Sequence, residues 1–277
     1  MSQEENHQEL VFVRGIELTA DEALILQKLE EAVGEEIPYV KSAAMYNHGF
    51  SVEDKKITRL SLWKKELELF PESISELTNL KQLFLRDNKL KTIPKSIAKL
   101  SKLENFDVFN NQIETLPDNF GNLYELFRAD LSVNRINFLP ESIGQLKKLN
   151  KFGLLNIQLM ELPDSIGEMT NLKWLGVWKN HLEELPESIG NLPILEKLWV
   201  QENKLESLPE SIGQLNSLKD LQFFDNPIKK LPDSLTKLQN LQKLGINSKN
   251  TKKPFKLDEK QEKWIEQLKS KGCKVRY

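Results

Sequence analysis

The chain has little of what catalysis and disulfide-stabilised folds require. A single cysteine, Cys273, excludes intramolecular disulfides. The three histidines, His7, His48 and His181, lie far apart, and none belongs to a motif with metal-ligand spacing. Phosphate-binding glycine loops are also missing, because nearly all glycines stand alone. We therefore expect a protein that is not an enzyme and holds neither metal nor cofactor.

Charge of one sign and long apolar runs are scarce as well. The formal net charge is −2, which gives no general attraction to nucleic acid or to an anionic membrane surface. No apolar run approaches the ~18 residues that a membrane-spanning helix needs. The first ten residues, MSQEENHQEL, are polar and acidic, unlike the start of a signal peptide. The sequence thus predicts a cytoplasmic protein with no nucleic acid and no membrane as partner.

What the sequence does contain is a repeat of 23 residues. Residues 195–217 read LEKLWVQENKLESLPESIGQLNS, and this unit recurs without insertion or deletion from a first start at Ile57 to a last at Leu241. A fixed period of this length is the signature of a solenoid, in which stacked coils bury the apolar residues that one coil cannot. Positions in each unit are counted from 0, so that Leu195 is position 0.

Each part of the unit has its own structural role. Leu198 and Val200 belong to a short strand whose side chains alternate inward and outward with period two. Asn203 follows, where its short amide can bond to the backbone of its own and the next coil. Pro209 closes the loop, because its fixed φ cannot continue a strand ladder. The segment SIGQL then predicts one or two helical turns on the far side of the coil.

The pattern LxxLxLxxNxLxxLPxxIGxLxx resembles the leucine-rich repeat in its 23-residue form, and it is most similar to the intracellular Ras-group kind. That resemblance implies an α/β solenoid curved like a horseshoe, with a parallel β-sheet on the concave face and short helices or 3₁₀ turns on the convex face. It implies a binding scaffold, and by family analogy alone a small GTPase or a signalling phosphatase as a partner. Such scaffolds share a fold and differ in what they bind.

The repeats divide the chain into three predicted parts. Residues 1–56 form an α/β N-terminal cap, with a helix at about 19–33 and a capping strand at about 49–53. Residues 57–251 form the repeats, and residues 252–277 form a C-terminal cap with a helix and a short terminal strand. In that last helix we expect Trp264 to be buried against the final coil, in preference to a role in partner binding.

Two repeats depart from the pattern. Ala129 stands where position 3 normally carries leucine, so we expect a neighbouring side chain to fill the space. Ile157 replaces the asparagine of position 8, so the asparagine ladder should be irregular there.

Positions 2, 4, 6 and 7 face outward on the concave side and form columns along the stack, because neighbouring strands are ~4.8 Å apart. These columns bring Trp174, Trp178, Trp199 and Phe224 together from three adjacent coils, and Leu155 extends the cluster by one coil. Exposed aromatic clusters mark interaction sites, and tryptophan is enriched in binding hot spots. Aromatic side chains can also simply cover their own backbone, which is the weaker hypothesis for a cluster of this size.

Further candidates for partner binding surround this cluster. Arg128, Lys151 and Lys197 flank Trp174 in the position-2 column, and Phe109 belongs to the position-6 column. We expect this basic edge to orient an acidic segment of a partner.

Other features of these columns concern the floor of the surface and its charge. At position 4, Gly153 and Gly176 predict a floor without side chains, open to close approach. Asp107 and Asp130 form a small acidic spot on the preceding coils.

The favoured function is a non-catalytic protein–protein interaction scaffold that binds a protein or peptide on its concave face through the aromatic cluster. The alternative is a structural or self-associating repeat protein that uses the same cluster as an oligomer interface. We expect a monomer, and sedimentation over a concentration range separates the two. An enzyme or small-ligand sensor that uses the groove is the least favoured class.

Overall fold

The computed structural model describes residues 9–42, 44, 46–246 and 257–276. In chain order the helices and strands are β1 (Leu10–Val13), β2 (Ile16–Thr19), α1 (Ala20–Val33), β3 (Gly49–Glu53), β4 (Lys56–Ser61), β5 (Gln82–Phe84), β6 (Asn105–Asp107), β7 (Arg128–Asp130), β8 (Lys151–Gly153), β9 (Trp174–Gly176), β10 (Lys197–Trp199), β11 (Asp220–Gln222), β12 (Lys243–Gly245), α2 (Glu259–Ser270) and β13 (Lys274–Arg276). Short 3₁₀ helices lie at Glu72–Glu76, Lys95–Lys99, Phe120–Asn122, Glu141–Gln145, Asp164–Glu168, Glu187–Asn191, Glu210–Gln214 and Asp233–Lys237.

One eleven-stranded sheet runs from β3 to β13 in chain order and forms the concave face. Strands β4 to β13 are parallel, and β3 pairs with β4 in the antiparallel sense, as a hairpin that ends the stack. Each three-residue strand turns its middle residue inward, and the 3₁₀ helices lie on the convex face. The predicted solenoid is confirmed.

Asparagines at position 8 fasten each coil to the one before it. The side-chain amide of Asn203 donates to the carbonyl oxygens of Val177 and Val200, and its oxygen accepts from the backbone N–H of Leu182. Ile157 interrupts the ladder and is itself buried in the core, as its sequence position predicts. The other ladder asparagines are Asn88, Asn111, Asn134, Asn180 and Asn226.

The space left by Ala129 is filled by two phenylalanines. Phe106 and Phe152 occupy position 3 of the flanking coils, pair in register with Ala129, and are buried. Large side chains thus alternate with a small one along a single column of the core. Neighbours fill the space, as expected.

Separate elements cover the two ends of the stack. At the N-terminal end, α1 packs on the first 3₁₀ helix, and the buried carboxylate of Glu22 accepts from the backbone N–H of Ile57 over 3.0 Å. At the C-terminal end, α2 buries Trp264, whose indole N–H donates to the carbonyl oxygen of Leu238 over 3.0 Å. The burial predicted for Trp264 is confirmed. The predicted end of the repeats at about 251 lies outside the described residues.

Across the described part of the chain, no helix combines the length and the apolar character needed to cross a membrane.

Candidate functional site

The three tryptophans of the predicted cluster pack against one another on the concave sheet. Trp174 begins β9, Trp178 follows the same strand, and Trp199 ends β10. Ring centroids lie 6.1 Å apart for Trp174 and Trp178, 5.5 Å for Trp174 and Trp199, and 5.4 Å for Trp178 and Trp199. The rings meet edge to face, an arrangement that aromatic quadrupoles favour. We call these three residues the tryptophan triad.

Each ring of the triad is half-buried. At these separations the rings are in direct contact, so the triad has no gap in which a cation or a further ring could sit. A partner can therefore meet the triad only on its outer faces and edges, as it would a single apolar platform.

The expectation that position 4 forms an open floor without side chains is wrong. A Cβ atom added to Gly176 would lie 2.5 Å from Cζ3 of Trp178 and 2.8 Å from Cζ2 of Trp174. At Gly153 the same atom would lie 2.9 Å from Oδ1 of Asp130. The glycines make room for the side chains of their neighbours, which cover the backbone instead of leaving it exposed.

The remaining apolar candidates, two phenylalanines and one leucine, lie outside the triad. Phe224 is half-buried, and the guanidinium carbon of Arg276 lies 5.1 Å from its ring centroid. Phe109 pairs with Arg86, at 4.2 Å from the guanidinium carbon to the ring centroid. Leu155 is half-buried just after β8. The structure thus gathers the three tryptophans closely and places the two phenylalanines with arginines.

Exposed lysines border the triad on one side. A groove of about 400 Å³ next to Trp174 is lined by Lys151, Lys173 and Lys197, together with Asn150 and Glu196. All three lysines are exposed. The columns of outward positions omit Lys173, because it stands at position 1. The sequence indicates that Lys173 lies near the triad only through its place immediately before Trp174.

A second groove, of about 370 Å³, lies beside the first. It is lined by Gln82, Phe84, Arg86, Asn105, Phe106, Asp107, Arg128, Ala129, Asp130, Lys151 and Trp174. Arg128 is exposed there, so the predicted basic residue borders both the acidic pair and Trp174.

Arg86 and Asp107 form a buried ion pair in the second groove, at the end farther from Trp174. Nη1 of Arg86 donates to Oδ2 of Asp107 over 2.7 Å and lies 3.6 Å from Oδ2 of Asp130. Burial, followed by the negative charge of Asp130, raises the pKa of Asp107 to about 6. Sequence reasoning found the two aspartates but missed Arg86 as their partner.

Within the described ranges, no group of three or more histidine, cysteine, aspartate or glutamate side chains has a geometry that could hold a metal ion.

Comparison with known proteins identifies the repeat. A family model described as a leucine-rich repeat region matches residues 162–269, and a second, described as leucine rich repeat, matches residues 55–113. The chain is a leucine-rich repeat protein. Among the curated proteins, none matches it.

Solved structures of other leucine-rich repeat proteins are similar to it. A leucine-rich repeat protein of Leptospira interrogans is 30% identical, with a TM-score of 0.62, over 79% of this chain and 60% of that one. The plant peptide hormone receptor RGFR1, solved in complex with RGF2, is 28% identical, with a TM-score of 0.50, over 65% and 34%. The PEPR1–AtPEP1 structure is 26% identical, with a TM-score of 0.62, over 82% and 38%. The leucine-rich repeat protein described here therefore spans less than two thirds of each of these chains.

Proposed function

We propose that this leucine-rich repeat protein is a non-catalytic module that binds a protein or peptide on its concave face, with the tryptophan triad as the central contact. The observation that carries the proposal is the mutual packing of three half-buried indole rings on the concave sheet. Such rigid aromatic groups bury large areas at low entropic cost and dominate binding hot spots.

The lysines beside the triad favour an acidic segment in the partner. Lys151, Lys173 and Lys197 line the groove at Trp174, and Glu196 is the acidic residue that lines it with them. An excess of positive charge at the rim of an apolar contact orients a negatively charged partner and speeds its association. The expected ligand therefore carries an apolar side chain for the triad and acidic residues for the lysines.

The solved relatives support a peptide as the class of partner. RGFR1 is described as a peptide hormone receptor in complex with RGF2. Because this chain is 28% identical to that receptor and shares its repeat architecture, a peptide is a reasonable first probe. The identity of the partner is not transferred from it.

A selection from a library of random-sequence peptides tests the proposal. Peptides enriched on the wild-type protein are measured by calorimetry against the double variant Trp178→Ala/Trp199→Ala. We expect a loss of at least about tenfold in affinity, since hot-spot truncations cost about 2 kcal/mol or more. Phe138→Ala is the matched control, because Phe138 is an exposed aromatic residue outside the triad.

Two results would count against the proposal. Equal binding by the double variant and the wild type, both shown to be folded by circular dichroism, would remove the triad as the contact. A concentration-dependent dimer that the double variant no longer forms would replace the proposal with self-association.

A further inference from the structure

One polar atom of the triad and one next to it have no hydrogen-bond partner among the residues that the structure describes. They are the indole nitrogen of Trp199 and the carboxamide oxygen Oε1 of Gln201, and both atoms are buried. Gln201 as a whole is only 8% exposed. A buried donor and a buried acceptor without partners each destabilise the folded state, so their presence calls for an explanation.

Two other indoles and a glutamine of the next coil do have partners. The indole N–H of Trp63 donates to Asp87 over 2.7 Å, and that of Trp264 donates to a backbone carbonyl. Gln222, on the coil after Gln201, donates from its carboxamide to Oδ1 of Asp220 over 2.6 Å. Trp199 and Gln201 thus differ from these three residues, although the amide oxygen of Asn119 is also buried without a partner among the described residues.

The unpaired donor belongs to the last residue of β10, and the unpaired acceptor belongs to Gln201, two residues beyond it. Gln201 occupies position 6, between Trp178 on the preceding coil and Phe224 on the next. In an extended chain the N–H and the C=O of one residue point to the same side, so a donor and an acceptor together complement one residue of an extended peptide. Because Oε1 of Gln201 has no hydrogen bond to a described residue, the flexible side chain can turn toward a ligand on the concave face without breaking a bond of that oxygen.

We propose that Trp199 and Gln201 bind the main chain of an extended peptide segment at a single residue. Both side chains turn out of their buried positions, so that the indole N–H of Trp199 donates to the carbonyl oxygen of that residue and Oε1 of Gln201 accepts from its N–H. The inference rests on the proposed function, because the same peptide lays an apolar side chain on the triad and acidic residues toward Lys151, Lys173 and Lys197. Main-chain binding fixes the register of the peptide over the triad independently of its side chains.

An amide-to-ester scan of a peptide selected on the wild-type protein tests this inference. Each ester removes one peptide N–H and leaves the side chains unchanged. We expect one position at which the ester weakens binding to the wild type about tenfold, the scale of a lost buried hydrogen bond. On Gln201→Met that ester should have no further effect, which is the signature of a coupled pair in a double-mutant cycle. Trp199→Phe, which keeps an aromatic ring and removes the N–H, should also weaken binding.

Gln222→Met is the matched control, because the Gln222 carboxamide already has a partner in Asp220. Every ester should weaken binding to this variant and to the wild type equally. The free protein gives a second readout. Gln201→Met should leave the urea midpoint of unfolding unchanged or raise it, whereas Gln222→Met should lower it.

The outcomes separate this inference from the proposed function. Peptides that depend on the triad, but whose esters never couple to Gln201→Met, would overturn main-chain binding and leave the triad as the site. Coupling to an asparagine or glutamine side chain of the peptide, in place of a peptide bond, would overturn it too. So would a lower urea midpoint for Gln201→Met, because the carboxamide would then have a partner in the folded protein. If no selected peptide depends on the triad, both proposals fail.

Discussion

The indole rings of Trp178 and Trp199 lie 5.4 Å apart at an angle of 69°, although they stand at positions 6 and 4 of successive repeats. The contact runs diagonally across the sheet. Position 4 of the first coil is Gly176, which has no side chain to block this contact. The rings of Trp174 and Trp178 lie over it. A residue without a side chain thus sets the geometry of the triad.

Gly176→Ala should therefore disrupt the triad. The new methyl group would lie 2.5 Å and 2.8 Å from ring atoms of Trp178 and Trp174, so both rings must move. We expect the free energy of unfolding to fall by about 1–3 kcal/mol, as for other overpacked sites. Near-ultraviolet circular dichroism should change, and peptide binding should weaken.

Gly153→Ala is the control for that change. Its methyl group would meet the carboxylate of Asp130 and the hydroxyl of Ser132, which are tips of small polar side chains. We expect the near-ultraviolet spectrum of the tryptophans to stay as in the wild type. Identical spectra for wild type and Gly176→Ala would contradict the packing described here.

Asp107 should make the stability of the protein fall as the pH rises from about 4 to about 6. It is 6% exposed, and its pKa is raised from an ordinary 3.8 to about 6. The folded state therefore holds the proton more tightly than the unfolded state. The resulting stabilisation is complete below the pKa of Asp107 in the unfolded chain. It is lost as the pH rises through the pKa of Asp107 in the folded protein. Two pKa units correspond to about 3 kcal/mol.

Urea unfolding of wild type and Asp107→Asn at pH 4, 5, 6 and 7 measures this contribution. The difference in unfolding free energy between the two proteins should change by about 3 kcal/mol over that range, in favour of the variant as the pH rises. Asp130→Asn should shrink the wild-type dependence, because Asp130 is the second cause of the raised pKa. Parallel pH profiles for wild type and Asp107→Asn would refute the assignment.

The columns of the concave face could be predicted from the sequence because the repeat has a constant length. Lys151, Trp174 and Lys197 are register partners on β8, β9 and β10, as a 23-residue step with no insertion requires. The same step predicts that three tryptophans from two coils lie together. Burial along the core follows in the same way, including the compensation of Ala129 by its neighbours.

The diagonal contacts could not be predicted, because they depend on which way each side chain leans. Position 6 reaches toward position 4 of the next coil in Arg86 and Asp107 as well as in Trp178 and Trp199. Phe224 likewise covers Gly245, where an added Cβ would lie 2.8 Å from its ring. The columns relate residues at one position and do not relate position 4 to position 6. The partnership of Arg86 with the two aspartates, and the side chains that cover the glycines, therefore do not follow from the columns.

Val133 should be a weak point of the stack that one substitution can relieve. It stands at position 7, where its φ is 57°, in the left-handed region that a β-branched residue tolerates poorly. Asn156 adopts the same conformation on the next coil, at φ 51°, and asparagine is suited to it. We expect Val133→Asn to raise the free energy of unfolding by about 1 kcal/mol. The reverse change, Asn156→Val, should lower it by a similar amount, and equal stabilities for all three proteins would argue against strain at this position.

The stability of the C-terminal end of the stack should depend on the indole ring of Trp264. Trp264 is 2% exposed, and its N–H bonds to the carbonyl oxygen of Leu238. Trp264→Ala should lower the free energy of unfolding by about 3–5 kcal/mol, as for other buried aromatic residues. Trp264→Phe keeps most of the ring, so we expect it to cost only about 1–2 kcal/mol through the unpaired carbonyl oxygen.

Hydrogen exchange locates the effect of these two changes. Coils of a solenoid contact only their neighbours, so loss of the ring should speed exchange in β12 and β13 and leave β5 to β8 protected. Lys263→Ala is the control, because Lys263 is exposed on the same helix and pairs with the exposed Glu259. Faster exchange spread evenly over the sheet would instead mean that the eleven strands unfold as one unit, and that α2 stabilises the whole stack instead of its last coils.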